Sequence, residues 1–227
     1  MSLLIPAKFG PVVDMASEEE SRPFLCGVHV MTTEDLRLRL EVTDGAFALI
    51  VEETEEGLKQ RQVGDYPLIP GVDMTADNER TPMNLIVPGE AWKAAFATAK
   101  KTTRRASMPI LSNVLLVRHA EDSITLASTN LETPSIMRVK PIAGAFPPFH
   151  TAEKGGDVEH PKDGEPFGIA FDPVRIATIH TFFANLGFSW HNPVQWRFFT
   201  PLTPAHAFAR DLDLGFTYHA ILAPVRV

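Results

Sequence analysis

A group of cations near the middle of the chain combines residue types and a spacing that could do chemistry. At about 100° per residue, Lys93, Lys100 and Arg104 share one face of a helix, and Lys101 and Arg105 flank it. Such a stripe can contact the phosphates of duplex DNA without reading its bases. The alternative is a solvated helix face, whose cations are favoured near the helix C-terminus by the helix dipole.

Other residue types that carry chemistry form no recognisable motif. Four of the eight histidines lie toward the end of the chain, but none pairs with another at the i, i+4 spacing of a zinc-binding helix: His180, His191, His206 and His219. The sequence has neither a Gly-x-Ser-x-Gly elbow nor a phosphate-cradling glycine loop. The carboxylates of residues 18–20 and 52–56 are typical of solvated surface. We therefore predict no catalytic residue, no metal and no cofactor, with an enzyme of unknown type as a distant alternative.

The bulk composition is that of an ordinary globular protein, at 44% hydrophobic and 22% charged residues. The net charge of −7 argues against a surface that coats nucleic acid all round, although it permits a local basic stripe. Cys26 is the only cysteine, which excludes an intramolecular disulfide. We see no signal peptide and no apolar run near the roughly 20 residues that cross a bilayer. These features predict a cytoplasmic protein without a membrane partner.

Three segments share the order of a strand, a helix and two or more strands, and we interpret them as β-α-β-β units. They span residues 1–83, 84–149 and 166–227, and the Gly/Pro-rich residues 150–165 predict a mobile connector. In the first unit we predict a helix at 9–17 and strands at 3–5, 24–31, 36–42 and 46–51. A Thr43-Asp44-Gly45 turn precedes the last of these strands.

The helices of the second and third units have clear apolar faces. In the second unit a strand is predicted at 85–87 and a helix at about 89–103, with Trp92 and Phe96 on its buried side. In the third unit Asp172-Pro173 starts a helix and Gly187 ends it. The strands predicted for the third unit are 167–171, 194–200, 205–210 and 216–222.

The most specific motif lies just after the cationic segment. Met108-Pro-Ile-Leu-Ser-Asn opens a predicted strand at 108–118, and a turn at Glu121-Asp122 leads to a second strand that starts at Ser123. This second strand breaks at Thr129-Asn-Leu-Glu132 and resumes at residues 135–139. This arrangement resembles the opening half-domain of the bacterial DNA sliding clamp, the beta subunit of DNA polymerase III. Two further segments resemble later parts of the same family: residues 22–30 with the Thr43-Asp44-Gly45 turn, and the tail Leu222-Ala-Pro-Val-Arg-Val227.

The resemblance implies an α+β fold of DNA clamp (processivity-fold) architecture, in which helices cover one face of curved antiparallel sheets. Two units make one clamp domain in that family, so we expect residues 84–227 to form a complete domain and residues 1–83 a half-domain. A bacterial clamp protomer has six units and this chain has about three. A homo-oligomer of four chains would match the twelve units of the bacterial ring.

The resemblance also implies a function in DNA replication or repair, without catalysis. The cationic helix would contact duplex DNA, and the tail would help form a pocket for short peptides of polymerases or repair proteins. The matching tail positions are Pro224, Val225, Arg226 and Val227, with Ala223 and Val225 where the family has methionines. The alternative for the tail is an ordinary edge strand. The competing function is a clamp-fold module that binds protein but not DNA, since the first and third helices offer few cations.

Overall fold

Eleven antiparallel strands form two sheets within the residues that this computed structural model describes, which are 2–74, 82–103, 108–119, 123–149, 169–189, 192–198 and 203–225. The strands are β1 Ser2–Pro6, β2 Gly27–Thr32, β3 Leu38–Thr43, β4 Phe47–Glu53, β5 Asn84–Pro88, β6 Asn113–Arg118, β7 Ile124–Thr129, β8 Pro134–Val139, β9 Gln195–Arg197, β10 Ala205–Asp211 and β11 Phe216–Leu222. One sheet has the order β1-β6-β7-β8, and the other has the order β5-β2-β3-β4-β11-β10-β9.

Three helical segments lie side by side on one face of these sheets. The 3-10 segment Ala7–Met15 is in the middle, with α2 (Gly89–Thr103) against one side of it and α3 (Pro173–Asn185) against the other. A shorter helix, α1 (Glu55–Gln60), follows β4. No helix in the described ranges has both the length and the apolar character needed to cross a membrane.

The main core lies between the helical segments and the inner faces of the strands. It contains Phe9, Trp92, Phe96, Phe216 and Tyr218, all of which are almost fully buried. Strand β3 has the alternation of a half-buried strand, because Leu38, Leu40 and Val42 point into this core. The observed layers therefore confirm the α+β class, with helices on one face of antiparallel sheets.

Several elements differ locally from the sequence-based prediction. The first helix is a 3-10 segment with Pro11 in its interior, where proline removes a backbone donor. Residues Pro109–Ser112 also form a 3-10 turn, so the strand of the motif begins at Asn113. The strand expected at 167–171 is not formed at residues 169–171, and its first two residues lie outside the described ranges, as do the turn Glu121-Asp122 and residues 150–165.

The first two units pair with each other by exchanging their first strands. β1 of the first unit pairs with β6 of the second, and β5 of the second unit pairs with β2 of the first. The third unit joins the first through β4 and β11. We expected residues 84–227 to form a domain separate from residues 1–83, and the observed strand pairing differs from that grouping. Strand exchange between distant segments leaves no signal in local periodicity, so the sequence pattern could not predict it.

Candidate nucleic-acid interface

The cationic helix α2 is fixed to the protein by its tryptophan. The Trp92 indole N–H donates to the backbone oxygens of Phe9 and Gly10 at 3.3 and 3.1 Å, and its ring stacks on Phe96 at 4.2 Å. Gly10 permits this close approach, because a Cβ at that position would lie 3.2 Å from the Phe96 Cβ. Since Trp92 is fully buried, the opposite side of α2 is held toward solvent.

Three of the five predicted DNA-contacting residues are described, and all three are exposed on this outer side. Lys93, Lys100 and Lys101 border a groove of about 1530 Å³ that runs between α2 and the 3-10 segment. Arg104 and Arg105 lie outside the described residues. The structure thus brings Lys93, Lys100 and Lys101 together along one groove, as their helical spacing predicts.

Carboxylates neutralise part of the positive charge along the groove. Lys8 Nζ donates to Asp211 Oδ2 at 3.1 Å, and Lys93 Nζ lies 3.9 Å from Asp14 Oδ1. The Lys93 pair is loose and solvated, so it has a small energy and can be exchanged for another anion. Among the described residues, Lys100 and Lys101 have no ion-pair partner. These two lysines are therefore the cations most available to a phosphate.

Helix α3 adds little positive charge to this face. Arg175 Nε donates to Asp44 Oδ2 at 2.8 Å, and its Nη1 donates to Asp172 Oδ2 at 2.9 Å. Its guanidinium is thus committed to two carboxylates. His180 is exposed on the same helix. Within the described part of the face, the uncommitted positive charge is concentrated on α2.

The predicted peptide-pocket residues are only partly described. The Val225 N–H donates to the Ala170 oxygen at 2.8 Å, and the Val225 side chain is 46% exposed. Pro224 is half-buried beside it, and Arg226 and Val227 lie outside the described residues. The tail therefore runs along the segment that leads into α3, with one apolar side chain open to solvent.

The outer face of the seven-stranded sheet carries a polar network that the sequence analysis did not identify. Glu41 accepts hydrogen bonds from His29 at 2.8 Å and from Arg39 at 2.8 Å, and His29 also contacts Asn84 Oδ1. Burial alone would raise the pKa of Glu41, but the hydrogen bond from His29 and the Arg39 charge lower it below its usual value. Alternation along β2 and β3 places His29, Arg39 and Glu41 on the same face of the sheet, but only the observed register of the two strands brings these side chains together.

Two of the four histidines considered as metal ligands do meet. His206 Nδ1 lies 2.9 Å from His219 Nε2, and burial lowers the pKa of His219 to about 4. Across the described residues, no group of three His, Cys, Asp or Glu side chains could hold a metal ion, and His191 lies outside them. The pair has the geometry of a buried hydrogen bond between neutral rings.

No protein-family model matches the sequence, and no curated protein matches it. Solved bacterial clamps do match the structure along the whole chain. The DNA polymerase III beta chain of Streptococcus pneumoniae gives a TM-score of 0.60 at 16% identity, and the beta subunit of Streptococcus pyogenes gives 0.58 at 15%. The sliding clamp of Caulobacter crescentus gives 0.55 at 18%.

Each of these alignments covers 100% of this chain and 65–66% of the clamp chain. The chain thus spans just under two thirds of the length of the clamps that it matches. At these identities the likeness establishes the fold. It confirms the clamp architecture expected from the Met108-Pro-Ile-Leu motif.

Proposed function

We propose that this chain is a non-enzymatic, sliding-clamp-like protein that contacts duplex DNA through phosphates and recruits replication or repair proteins. The clamp fold supports the general assignment. The observation that carries the DNA contact is the exposed position of Lys100 and Lys101 on the outer side of α2, without ion-pair partners among the described residues. Lysines in such a row bind the DNA backbone as point charges, which is compatible with movement along the duplex.

A second candidate function keeps the fold and drops the DNA contact. Asp14 and Asp213 border the same groove, and Lys8 is already paired with Asp211. A face of nearly balanced charge would bind duplex DNA weakly and could serve a protein partner. This candidate predicts no measurable DNA affinity even at low ionic strength.

Fluorescence anisotropy of a labelled mixed-sequence duplex at several salt concentrations separates the two candidates. The clamp proposal predicts binding at about 50 mM salt that weakens steeply by about 200 mM, because each phosphate contact releases counterions. Lys100→Ala/Lys101→Ala should lower the magnitude of the log–log salt slope by about 2 per chain. No binding by the unaltered protein at low salt would support the protein-only module.

A matched control removes two charges from a different groove, which lies beside His29. Arg118 and Lys140 border that groove, and Arg118→Ala/Lys140→Ala changes the net charge by the same amount. This variant should keep the salt slope of the unaltered protein. Equal losses in the two double variants would show that net charge, and not the α2 groove, governs the binding.

We also propose that Pro224, Val225, Arg226 and Val227 border the site for partner peptides. The support is the exposed Val225 side chain, whose backbone is held by Ala170. A labelled peptide from the clamp-contacting segment of a bacterial replicative polymerase should lose at least tenfold in affinity with Val225→Glu. Leu212→Glu, at a 71% exposed position in the β10–β11 turn, should leave the affinity unchanged. Equal affinity in both variants would remove the tail from the site.

A further inference from the structure

The segment that leads into α3 occupies the same position in its unit as β5 does in the second unit. Ile86 lies three residues before α2, and Ala170 lies three residues before α3. The Ile86 oxygen accepts from the Ile142 N–H at 2.9 Å, just beyond β8, and the Ala170 oxygen accepts from the Val225 N–H at 2.8 Å, just beyond β11. Residue 170 is therefore the structural counterpart of Ile86.

The first and second units complete each other through reciprocal pairing of such first strands. Leu4 of β1 lies opposite Leu115 of β6, and Ile86 of β5 lies opposite His29 of β2. Leu4 and Ile86 each lie three residues before a helical segment, and Leu115 and His29 are each the third residue of their strand. The two contacts are thus related by a local two-fold rotation.

The third unit has the counterparts of both strands of this contact, and within the described residues neither counterpart has the matching partner. β9 is the counterpart of β2 and β6, and it forms the end of the seven-stranded sheet. Within the described residues, no strand pairs with its outer edge, and residues 169–171 pair only with the tail. The seven-stranded sheet therefore ends in β5 on one side, where the exchange has occurred, and in an unfilled edge on the other.

Burial follows the same pattern. Val28 and Val30 of β2 are fully buried, whereas their counterparts Val194 and Trp196 are only half-buried. On the helices, Trp92 is 0% exposed against the 3-10 segment, but its counterpart Ile176 is 39% exposed. Phe198 next to β9 is 48% exposed. Side chains that are core in the first two units thus remain open in the third.

Residues 169–171 are not expected to pair with β9 of the same chain. In the second unit the corresponding strands, β5 and β6, lie in different sheets, and the same is true of β1 and β2 in the first unit. Among the described residues, the first strands β1 and β5 are already paired, so the segment of matching type that is left for the β9 edge is residues 169–171 of another copy.

We propose that two copies of this chain associate through their third units, each laying residues 169–171 along the β9 edge of the other. The pairing continues the seven-stranded sheet as β5 does at its opposite end. In the register of the first two units, Ala170 lies opposite Gln195 of the second copy and Ile169 lies opposite its Trp196. Ile176 of each copy becomes buried against the other copy. The proposal concerns assembly alone and holds whether or not the α2 groove binds DNA.

The first test is the mass of the full chain in solution by analytical ultracentrifugation. The unaltered protein should sediment with at least twice the mass of one chain. Ile176→Lys should weaken the third-unit contact at least tenfold, because it places two charges in a buried interface. Val174→Lys is the matched control on the same helix; its counterpart Glu90 is exposed in the completed domain, so self-association should be unchanged.

The second test reads the register and does not depend on destabilising the fold. In a Cys26→Ser background, chains with Ala170→Cys are mixed with chains that carry Gln195→Cys and are oxidised. A disulfide between the two kinds of chain is expected, since opposed residues of paired strands have the Cβ separation that a disulfide needs. Ala170→Cys mixed with Leu212→Cys should remain uncrosslinked.

A chain that sediments as a monomer at all concentrations would overturn the proposal. So would a dimer that Ile176→Lys leaves intact while circular dichroism shows the variant to be folded. A dimer that responds to Ile176→Lys but gives no Ala170–Gln195 disulfide would also reject the strand exchange. The DNA affinity of the α2 variants tests only the proposed function, because these variants leave the third-unit contact between chains unchanged.

Discussion

Trp92 links the core of the protein to the α2 lysines by fixing the position of the helix that carries them. Its indole holds the buried side of the helix on the backbone of Phe9 and Gly10. The rotation of α2 about its axis is thereby fixed, and with it the direction of Lys93 and Lys100. A change at Trp92 acts on the charged face through helix position.

Trp92→Ala should lower the free energy of unfolding by about 3–5 kcal/mol, because it leaves a cavity under α2. Trp92→Phe should cost about 1–3 kcal/mol, since the two backbone oxygens lose their buried donor. Urea denaturation at pH 7 measures both values. Lys93→Ala, one residue away on the exposed side, should stay within about 0.5 kcal/mol of the parent, and a larger loss there would contradict the assignment of the two faces.

His219 makes the stability of the protein depend on pH. Burial, together with the nearby His206 and Arg39, lowers the pKa of His219 to about 4, from an ordinary value of 6.5. Between these values the unfolded chain binds the proton more readily than the folded chain. The folded state therefore loses stability as pH falls from about 6.5 toward about 4.

His219→Gln should remove part of this dependence. We expect the unaltered protein to lose on the order of 1–2 kcal/mol more than the variant between pH 7 and pH 5, with the value kept low because His219 is partly exposed. Urea titrations at the two pH values give the difference. His180→Gln, at an exposed position on α3, is the control and should follow the parent. Identical pH profiles for all three proteins would contradict the buried neutral pair.

At the scale of elements, one turn joins the first unit to the third. The Asp44 side chain accepts from the N–H groups of Ala46 and Phe47, and its second oxygen accepts from Arg175 at 2.8 Å. Gly45 has a φ of +94°, a conformation that glycine adopts without strain. The Thr43-Asp44-Gly45 turn is thus both the end of a hairpin and a contact with α3.

Asp44→Ala should lower the free energy of unfolding by about 1–3 kcal/mol, because it removes two backbone hydrogen bonds and leaves Arg175 with Asp172 alone. Chemical denaturation detects the change. Asp35→Ala removes an exposed carboxylate that contacts Arg37 at 3.4 Å and should have an effect below about 1 kcal/mol. If the two variants were equally stable, the turn would have no part in joining the units.

Local patterns in the sequence predicted the elements but not their partners. Helix α2 was predictable from its apolar periodicity, and α3 from its periodicity together with Asp172-Pro173 and Gly187 at its ends, because these signals lie within each segment. Strands β10 and β11 were also predicted from their own segments. The Lys8–Asp211 pair joins residues from opposite ends of the chain, so no spacing rule could find it. The exchange of β1 and β5 between units is equally non-local, which explains why the domain grouping differed while the fold class was confirmed.

At the scale of the whole molecule, β8 is an end strand that has no partner strand on its outer side among the described residues. It ends the four-stranded sheet, and Ile136 on it is 40% exposed. Ile136 of β8 corresponds to Ile50 of β4 and to His219 of β11, and these two residues lie opposite each other where the first and third units join. Two copies of β8 could pair in the same way, with Ile136 opposite Ile136.

The third-unit contact at β9 and the β8–β8 contact together predict an assembly with the mass of four chains at high protein concentration. Ile136→Lys should reduce this to two chains, because like charges directly opposite each other on paired strands repel. Ile176→Lys should also leave two chains, and the combined variant should be a monomer. Sedimentation equilibrium distinguishes these states, with Met108→Lys, at a 43% exposed position, as the control. A combined variant that still has the mass of two chains would require a further contact surface.

The antiparallel meeting of β4 with β11 has a consequence for orientation. A local two-fold rotation relates equivalent strands there, and it turns one rim of the helical face into the other. If every contact between chains followed the same rule, the assembly would have two identical rims, with no front and no back. Under the proposed function, another protein moving along the duplex would then meet the same surface from either direction, and binding of this protein to DNA in either orientation would give the same complex.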